Sequence, residues 1–95
     1  MGYTVVWEMD AVDDRLEVME FLFSEAGDAV ASATDEKFTT AASLLSEHPF
    51  IGKAWEGMGR RLIMTEIPYF IFYDVDDERE RVSILRVIHK RKLYP

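Results

Sequence analysis

The sequence predicts an α+β domain in which a helical hairpin covers one face of a small, mostly antiparallel sheet, in the order β-α-α-β-β-β. Three observations carry that expectation. A β-branched and aromatic run opens the chain at Tyr3-Thr4-Val5-Val6-Trp7. Two segments with apolar residues at three- and four-residue steps follow it. Three more strand-like runs, separated by short turns, then fill the C-terminal part. Packing the hairpin on one face of the sheet buries the apolar side of each layer against the other.

The chain has 95 residues and reads as a single domain over 1–95. A domain of this size buries only about two-thirds of its unfolded surface, so its core is modest. With 48% hydrophobic residues it is not disordered by composition. No apolar run is long enough to cross a bilayer, and Met1-Gly2-Tyr3-Thr4-Val5 has neither a basic region nor a long apolar stretch. Val6 stands where a myristoylation signal wants Ser or Thr. A cytoplasmic protein without membrane association is expected. There is no cysteine, which excludes disulfide scaffolds, thiolate metal sites and thiol catalysis.

Each element has its own signal. Asp10 sits where a helix N-cap belongs, with Asp13 and Asp14 in the favourable first turn. Val12, Leu16, Met19, Phe23 and Ala26 then form one apolar helical face, and Gly27 is placed to stop the helix. Asp28 opens the second helix. Val30, Ala33, Phe38, Ala41 and Leu45 continue the helical spacing, with a kink expected at Thr34-Asp35. Pro49 ends this helix, because the residue before a proline resists helical geometry. Residues 48–59 read as a loop punctuated by Gly57 and Gly59. Strands are expected over 61–67, 69–75 and 82–88, with Pro68 and Asp76-Asp77-Glu78 in the turns.

The net charge of −7 is unevenly distributed. Residues 1–52 hold eleven acidic and two basic side chains, a balance of −9, whereas residues 53–95 hold seven and nine, a balance of +2. An acidic whole argues against nucleic-acid binding through a broad cationic surface. It leaves room for a small cationic patch, and His89-Lys90-Arg91-Lys92-Leu93-Tyr94-Pro95 supplies one. A sheet that brings His89, Arg91 and Tyr94 to one edge would suit a phosphate or a protein partner. Neither His48 nor His89 has a second histidine at helical spacing, so no metal site and no cofactor is expected. Asp74, Asp76, Asp77 and Glu78 lack the spacing and glycine of a calcium loop and read as a solvated turn. Trp55 is either an exposed binding anchor or a lid closing its loop over the core.

The order of elements, together with several motifs, resembles the RelE/ParE superfamily of toxins from type II toxin–antitoxin systems. His48-Pro49-Phe50-Ile51-Gly52 resembles the loop after the family's second helix. Gly59-Arg60-Arg61-Leu62 resembles the arginine-bearing start of its second strand, and Tyr69-Phe70-Ile71-Phe72-Tyr73 resembles its aromatic third strand. Val82 to His89 resembles its fourth strand, and His89-Lys90-Arg91 with Tyr94-Pro95 resembles its usual ending. The resemblance implies a toxin of a plasmid-stabilisation type of system, held inactive by a cognate antitoxin, as a homodimer or a toxin–antitoxin hetero-oligomer.

It also implies two possible targets. ParE-like members inhibit DNA gyrase by binding it, and RelE-like members cleave mRNA on the ribosome. Metal-free RNA cleavage needs a base, an acid and cations around the phosphate. On the RelE-like reading His89, Arg91 and Tyr94 would be catalytic. Against it, Thr65 and Glu66 stand where ribonucleolytic relatives usually carry an arginine, and a carboxylate there repels phosphate. The ParE-like branch is therefore favoured, with Arg60, Arg61, Arg86, His89, Arg91 and Tyr94 as the partner-binding surface. Arg86 shares strand parity with Ile84 and Ile88, so an internal ion pair is the alternative role for it. His89, a lone histidine, is more often a structural hydrogen-bonding residue than a catalyst. A third reading is a non-toxic relative that only binds an antitoxin-like partner.

Overall fold

The structure is a computed structural model that describes residues 2–57 and 59–93. Strand β1 (Thr4–Trp7) leads into helices α1 (Met9–Ala26) and α2 (Asp28–Glu47). Strands β2 (Lys53–Ala54), β3 (Arg60–Ile63), β4 (Tyr69–Asp76) and β5 (Arg81–His89) follow, and a final helical turn, α3 (Lys90–Leu93), ends the described chain. The sheet order is β1-β5-β4-β3-β2, parallel between β1 and β5 and antiparallel elsewhere.

The expected α+β architecture is present, with two additions and a shortening. The segment read as a loop contains β2, which pairs Lys53 with Arg61 and Ala54 with Arg60. Residues after His89 wind into α3. The strand expected over 61–67 spans only Arg60–Ile63, and Thr65 and Glu66 lie in the bend after it. Four residues suffice because Pro68 cannot donate to a ladder and the Tyr69 N–H turns back to the Ile67 carbonyl.

The helices differ from expectation in their facing. Helix α1 is preceded by Glu8 rather than capped by Asp10, and it starts at Met9. Its buried residues are Ala11 and Val18, with Leu22 packed against the core. The stripe expected to be buried is turned outward: Leu16 is 54% exposed and Phe23 61%. Helix α2 runs unbroken through Thr34-Asp35, where Arg15 of α1 pairs with the Asp35 carboxylate at 2.9 Å. The Arg15 guanidinium lies 4.5 Å above the Trp7 ring and also donates to the Thr39 hydroxyl. The same guanidinium lies 5.7 Å from the buried Phe38 ring, so this contact fixes how α1 is turned against α2. On α2 the buried set is Ala31, Thr34, Phe38, Ala41 and Leu45, whereas the expected Val30 and Ala33 are exposed. At the hairpin tip Gly27 has φ 92°, a conformation that glycine adopts without steric cost.

The core lies between the hairpin and one sheet face. Phe38 and Leu45 pack there with Ile71, Tyr73, Val82, Ile84 and Val87. Side chains alternate across a strand, so Phe70 and Phe72 project from the opposite face. They are nonetheless 3% and 0% exposed. A bulge makes Leu85 the extra residue between the Phe72–Arg86 and Tyr73–Ile84 pairs. The Tyr3 hydroxyl donates to the Asp77 carboxylate, which pushes its pKa up to about 12 and ties the start of β1 to the β4–β5 turn.

Candidate partner-binding surfaces

The cationic residues singled out from the sequence separate onto different parts of the sheet. Arg60 pairs with Tyr73 across β3 and β4. Its guanidinium donates to the Gly52 carbonyl at 2.6 Å and to the Phe50 carbonyl, and lies 5.0 Å from the Phe50 ring. The Tyr73 hydroxyl accepts from the Gly52 N–H at 2.8 Å. Burial raises the Tyr73 pKa, so the hydroxyl stays protonated at neutral pH. A Cβ on Gly52 would fall 2.6 Å from that hydroxyl and 2.8 Å from the Arg61 carbonyl, so only glycine fits. Arg60 thus fastens the loop between α2 and β2.

Arg61 points to the other face. Its guanidinium lies 3.9 Å from the Trp55 ring centre and 4.7 Å from that of Phe70. Trp55 also meets Phe72 edge-on at 6.1 Å. Lys90 approaches the Phe70 ring from α3 at 5.8 Å. Trp55 and Arg61 therefore close the outer sheet face in the way that the helices close the inner one. The alternating residues Phe70, Ile71, Phe72 and Tyr73 of β4 are thus buried on both faces. Sequence spacing alone gives no sign of the stack, because Trp55 and Phe72 are seventeen residues apart and are brought together by the β2–β3–β4 ladder.

Arg86 takes the internal role. Its Nε and Nη2 donate to the two oxygens of Asp14 at 2.8 and 3.0 Å, and this bond raises its pKa. Asp14 also accepts from the Val87 N–H at 2.8 Å. Strand β1 pairs with β5 only as far as Ile84. Beyond it, the α1 carboxylate takes the place of a strand neighbour on that edge.

His89 pairs with Tyr69, and the two rings meet edge-on at 5.0 Å. The Tyr69 ring also packs against Phe38 of α2, so His89 emerges on the helix-facing side. Its Nδ1 accepts from the Arg91 N–H at 3.1 Å. Burial first, and then the charges of Arg91 and Lys92, lower its pKa, so the imidazole is neutral at pH 7. Arg91 is exposed on α3. Tyr94 lies outside the described residues. The structure thus brings His89 and Arg91 together, and it sends Arg60, Arg61 and Arg86 to three other places. Among the described residues no group of His, Asp and Glu is arranged to hold a metal ion, and no helix is long and apolar enough to cross a membrane.

An apolar concavity lies elsewhere. A groove of about 740 Å3 runs between α2 and the end of β3. Leu44, Ile51 and Ile63, exposed by 38%, 52% and 46%, form its apolar walls. Leu62, Met64 and Ala41 form its floor, and the Lys37–Glu66 ion pair bridges from α2 to the bend after β3. That pair lowers the Glu66 pKa. Strand β2 covers only Arg60 and Arg61, so among the described residues β3 has no strand neighbour on this edge at Leu62 and Ile63. An apolar trough beside an unpaired strand edge is suited to accept a peptide as a helix or as an added strand.

Known structures share this architecture. A chromosomal ParDE toxin–antitoxin system from P. aeruginosa superposes with a TM-score of 0.80 at 17% identity, covering 92% of this chain and 95% of that one. The toxin–antitoxin complex RelBE2 from Mycobacterium tuberculosis gives 0.68 at 26% identity, covering 94% and 99%. The intact E. coli RelBE complex gives 0.66 at 19%, covering 90% and 93%. No curated protein sequence matches the chain. The fold is thus that of the RelE/ParE toxins. A family model for the ParE toxin of the type II toxin–antitoxin system parDE matches residues 5–94, and the chain belongs to that family.

Proposed function

We propose that this protein is a toxin acting by protein binding, with DNA gyrase as its target, and that a cognate antitoxin neutralises it by occupying the groove between α2 and the open edge of β3. The observation that carries the protein-binding reading is the divergence of the cations. His89 is on the helix-facing side of β5, and Arg61 is stacked on the outer face between Trp55 and Phe70. Arg86 is held by Asp14. A ribonuclease site needs its base and its phosphate-binding cations around one phosphate. Glu66 adds a carboxylate beside the end of β3, and the net charge of −7 opposes approach to RNA.

A second reading is favoured by one feature, the pairing of His89 with the cationic turn. A neutral imidazole next to Arg91 and Lys92 is the protonation state that a general base requires. On that reading the chain cleaves ribosome-bound mRNA through His89, Arg91 and Tyr94.

One pair of assays separates the two. The purified toxin is incubated with gyrase and relaxed plasmid, and in parallel with programmed ribosomes. Loss of supercoiling with intact mRNA is the expected result. Cut A-site codons with normal supercoiling would replace the leading reading with the second. Absence of growth arrest on induction would indicate a chain that binds an antitoxin without being toxic. The neighbouring reading frame is expected to encode a small antitoxin.

A further inference from the structure

The apolar face of α1 that the helical spacing marks as core is on the surface. Val12, Leu16, Met19 and Phe23 succeed one another at steps of four, three and four residues, a continuous stripe about 16 Å long. Leu16 and Phe23 are 54% and 61% exposed, and Val12 and Met19 are only partly covered. Burial of α1 runs instead through Ala11 and Val18. Leu16 and Phe23 thus share one exposed helical line rather than standing singly on the surface.

The charges beside the stripe select among occupants. Asp13, Glu17 and Glu20 each follow a stripe residue by one position, so they form a parallel row turned by about 100° around the helix. All three are exposed. The only cation on α1, Arg15, is engaged with Asp35, Thr39 and the Trp7 ring. An antiparallel second copy of this face would set acidic row against acidic row, which disfavours that self-association. An anionic lipid surface is repelled for the same reason, since helices that lie on membranes carry Lys and Arg beside their apolar side.

We propose that the α1 stripe docks an amphipathic helix of a partner protein, with apolar residues at i, i+3, i+4 and i+7 flanked by lysine or arginine. The apolar side of that helix covers Leu16 and Phe23, and its cations face Asp13, Glu17 and Glu20. This surface lies on the α1 side of the hairpin, away from the groove beside β3, and the inference does not depend on the identity of the toxin's target.

The test uses the full chain, labelled with 15N, and three synthetic peptides of about five helical turns. One carries leucines at the four apolar positions with flanking lysines, one carries the same leucines with flanking glutamates, and one is the lysine peptide scrambled. The lysine peptide is expected to shift amide resonances over residues 12–23 and to bind more tightly as salt is lowered. The other two peptides are expected not to bind there. The double variant Leu16→Ser, Phe23→Ser keeps every charge and removes only exposed apolar surface. It should weaken the lysine peptide by at least roughly tenfold while its remaining resonances stay in place. Shifts confined to the groove residues, equal binding by the lysine and scrambled peptides, or unchanged affinity in the double variant would each overturn the proposal. So would sedimentation showing a dimer that the double variant dissolves.

Discussion

The two sides of the sheet are finished differently. On one side β1 stops at Trp7 while β5 continues to His89. On the other β2 covers only two residues of β3. An uncovered edge presents unpaired backbone groups that recruit other strands. On the β5 side Asp14 supplies the missing acceptor for the Val87 N–H and neutralises Arg86 at the same time. Nothing equivalent occupies the β3 edge at Leu62 and Ile63, among the described residues. An apolar trough runs beside it instead. The contrast teaches that an edge closed by a partly buried carboxylate is architecture, whereas an edge left open beside exposed Leu44, Ile51 and Ile63 is the one the proposed antitoxin site uses.

The largest effect should come from unplugging the closed edge. Asp14→Ala leaves the Val87 N–H and the Arg86 guanidinium without their acceptor. Arg86 is half exposed and regains water, so the expected loss is about 2 kcal/mol rather than the larger cost of a fully buried pair. Chemical denaturation measures it. A loss under about 0.5 kcal/mol would mean that the plug matters little. The same variant should also associate in a concentration-dependent manner, because its β5 edge is freed.

At the open edge the order of effects reverses. Ile63→Asp changes a half-exposed side chain, so stability should move by no more than about 0.5 kcal/mol. Affinity for the cognate antitoxin should nevertheless fall at least roughly tenfold in a titration by calorimetry. Undiminished binding would remove the groove from the antitoxin interface. Next in size is the loop that borders this groove. Tyr73→Phe leaves the Gly52 N–H without its acceptor and should cost about 1 kcal/mol.

The end of β5 adds a pH signature. The His89 pKa is below its ordinary value of about 6.5. The unfolded chain therefore takes up the proton first as pH falls. Stability is full above the unfolded pKa and declines as pH drops from there through the folded one. His89→Gln should flatten that part of the curve, and a direct NMR titration of the imidazole should show the depressed midpoint. A midpoint at or above the ordinary value would contradict the partly buried, charge-flanked setting. The smallest change is expected at Lys37–Glu66. Both side chains are well exposed, so Lys37→Met should leave the thermal midpoint nearly unchanged at moderate salt. A clear drop would reveal a structural role for the bridge.

Much of the architecture was legible in residue order. Gly27, Pro49 and Pro68 punctuate the chain where the elements break, and the acidic turn falls at 77–80, with Asp76 still in β4. The β-branched and aromatic runs are the strands. Legibility failed for α1, where the apolar stripe is the exposed one. Periodicity reports that a helix has an apolar side, but not which side the tertiary structure covers. Here Arg15 at the α1–α2 contact and Asp14 at the β5 edge fix the rotation of the helix, and small Ala11 faces the core. The two-residue β2 carries no propensity signal, since its pairing with β3 alone defines it. For the candidate site, the sequence identified the cations without their placement. Arg60 and Arg61 are neighbours in the chain, and a strand turns neighbours to opposite faces.

The sequence by itself determined an acidic helical hairpin and a cationic C-terminal sheet, because propensity, turn chemistry and charge are local properties that add along the chain, and the order of its motifs carried the resemblance to a toxin family. Only the tertiary structure decided that one sheet edge is stoppered by Asp14, that the other opens onto a groove, and that α1 shows its oily side to solvent. Those outcomes depend on which backbone groups and side chains find partners far away in sequence. Local pattern does not encode a competition of that kind.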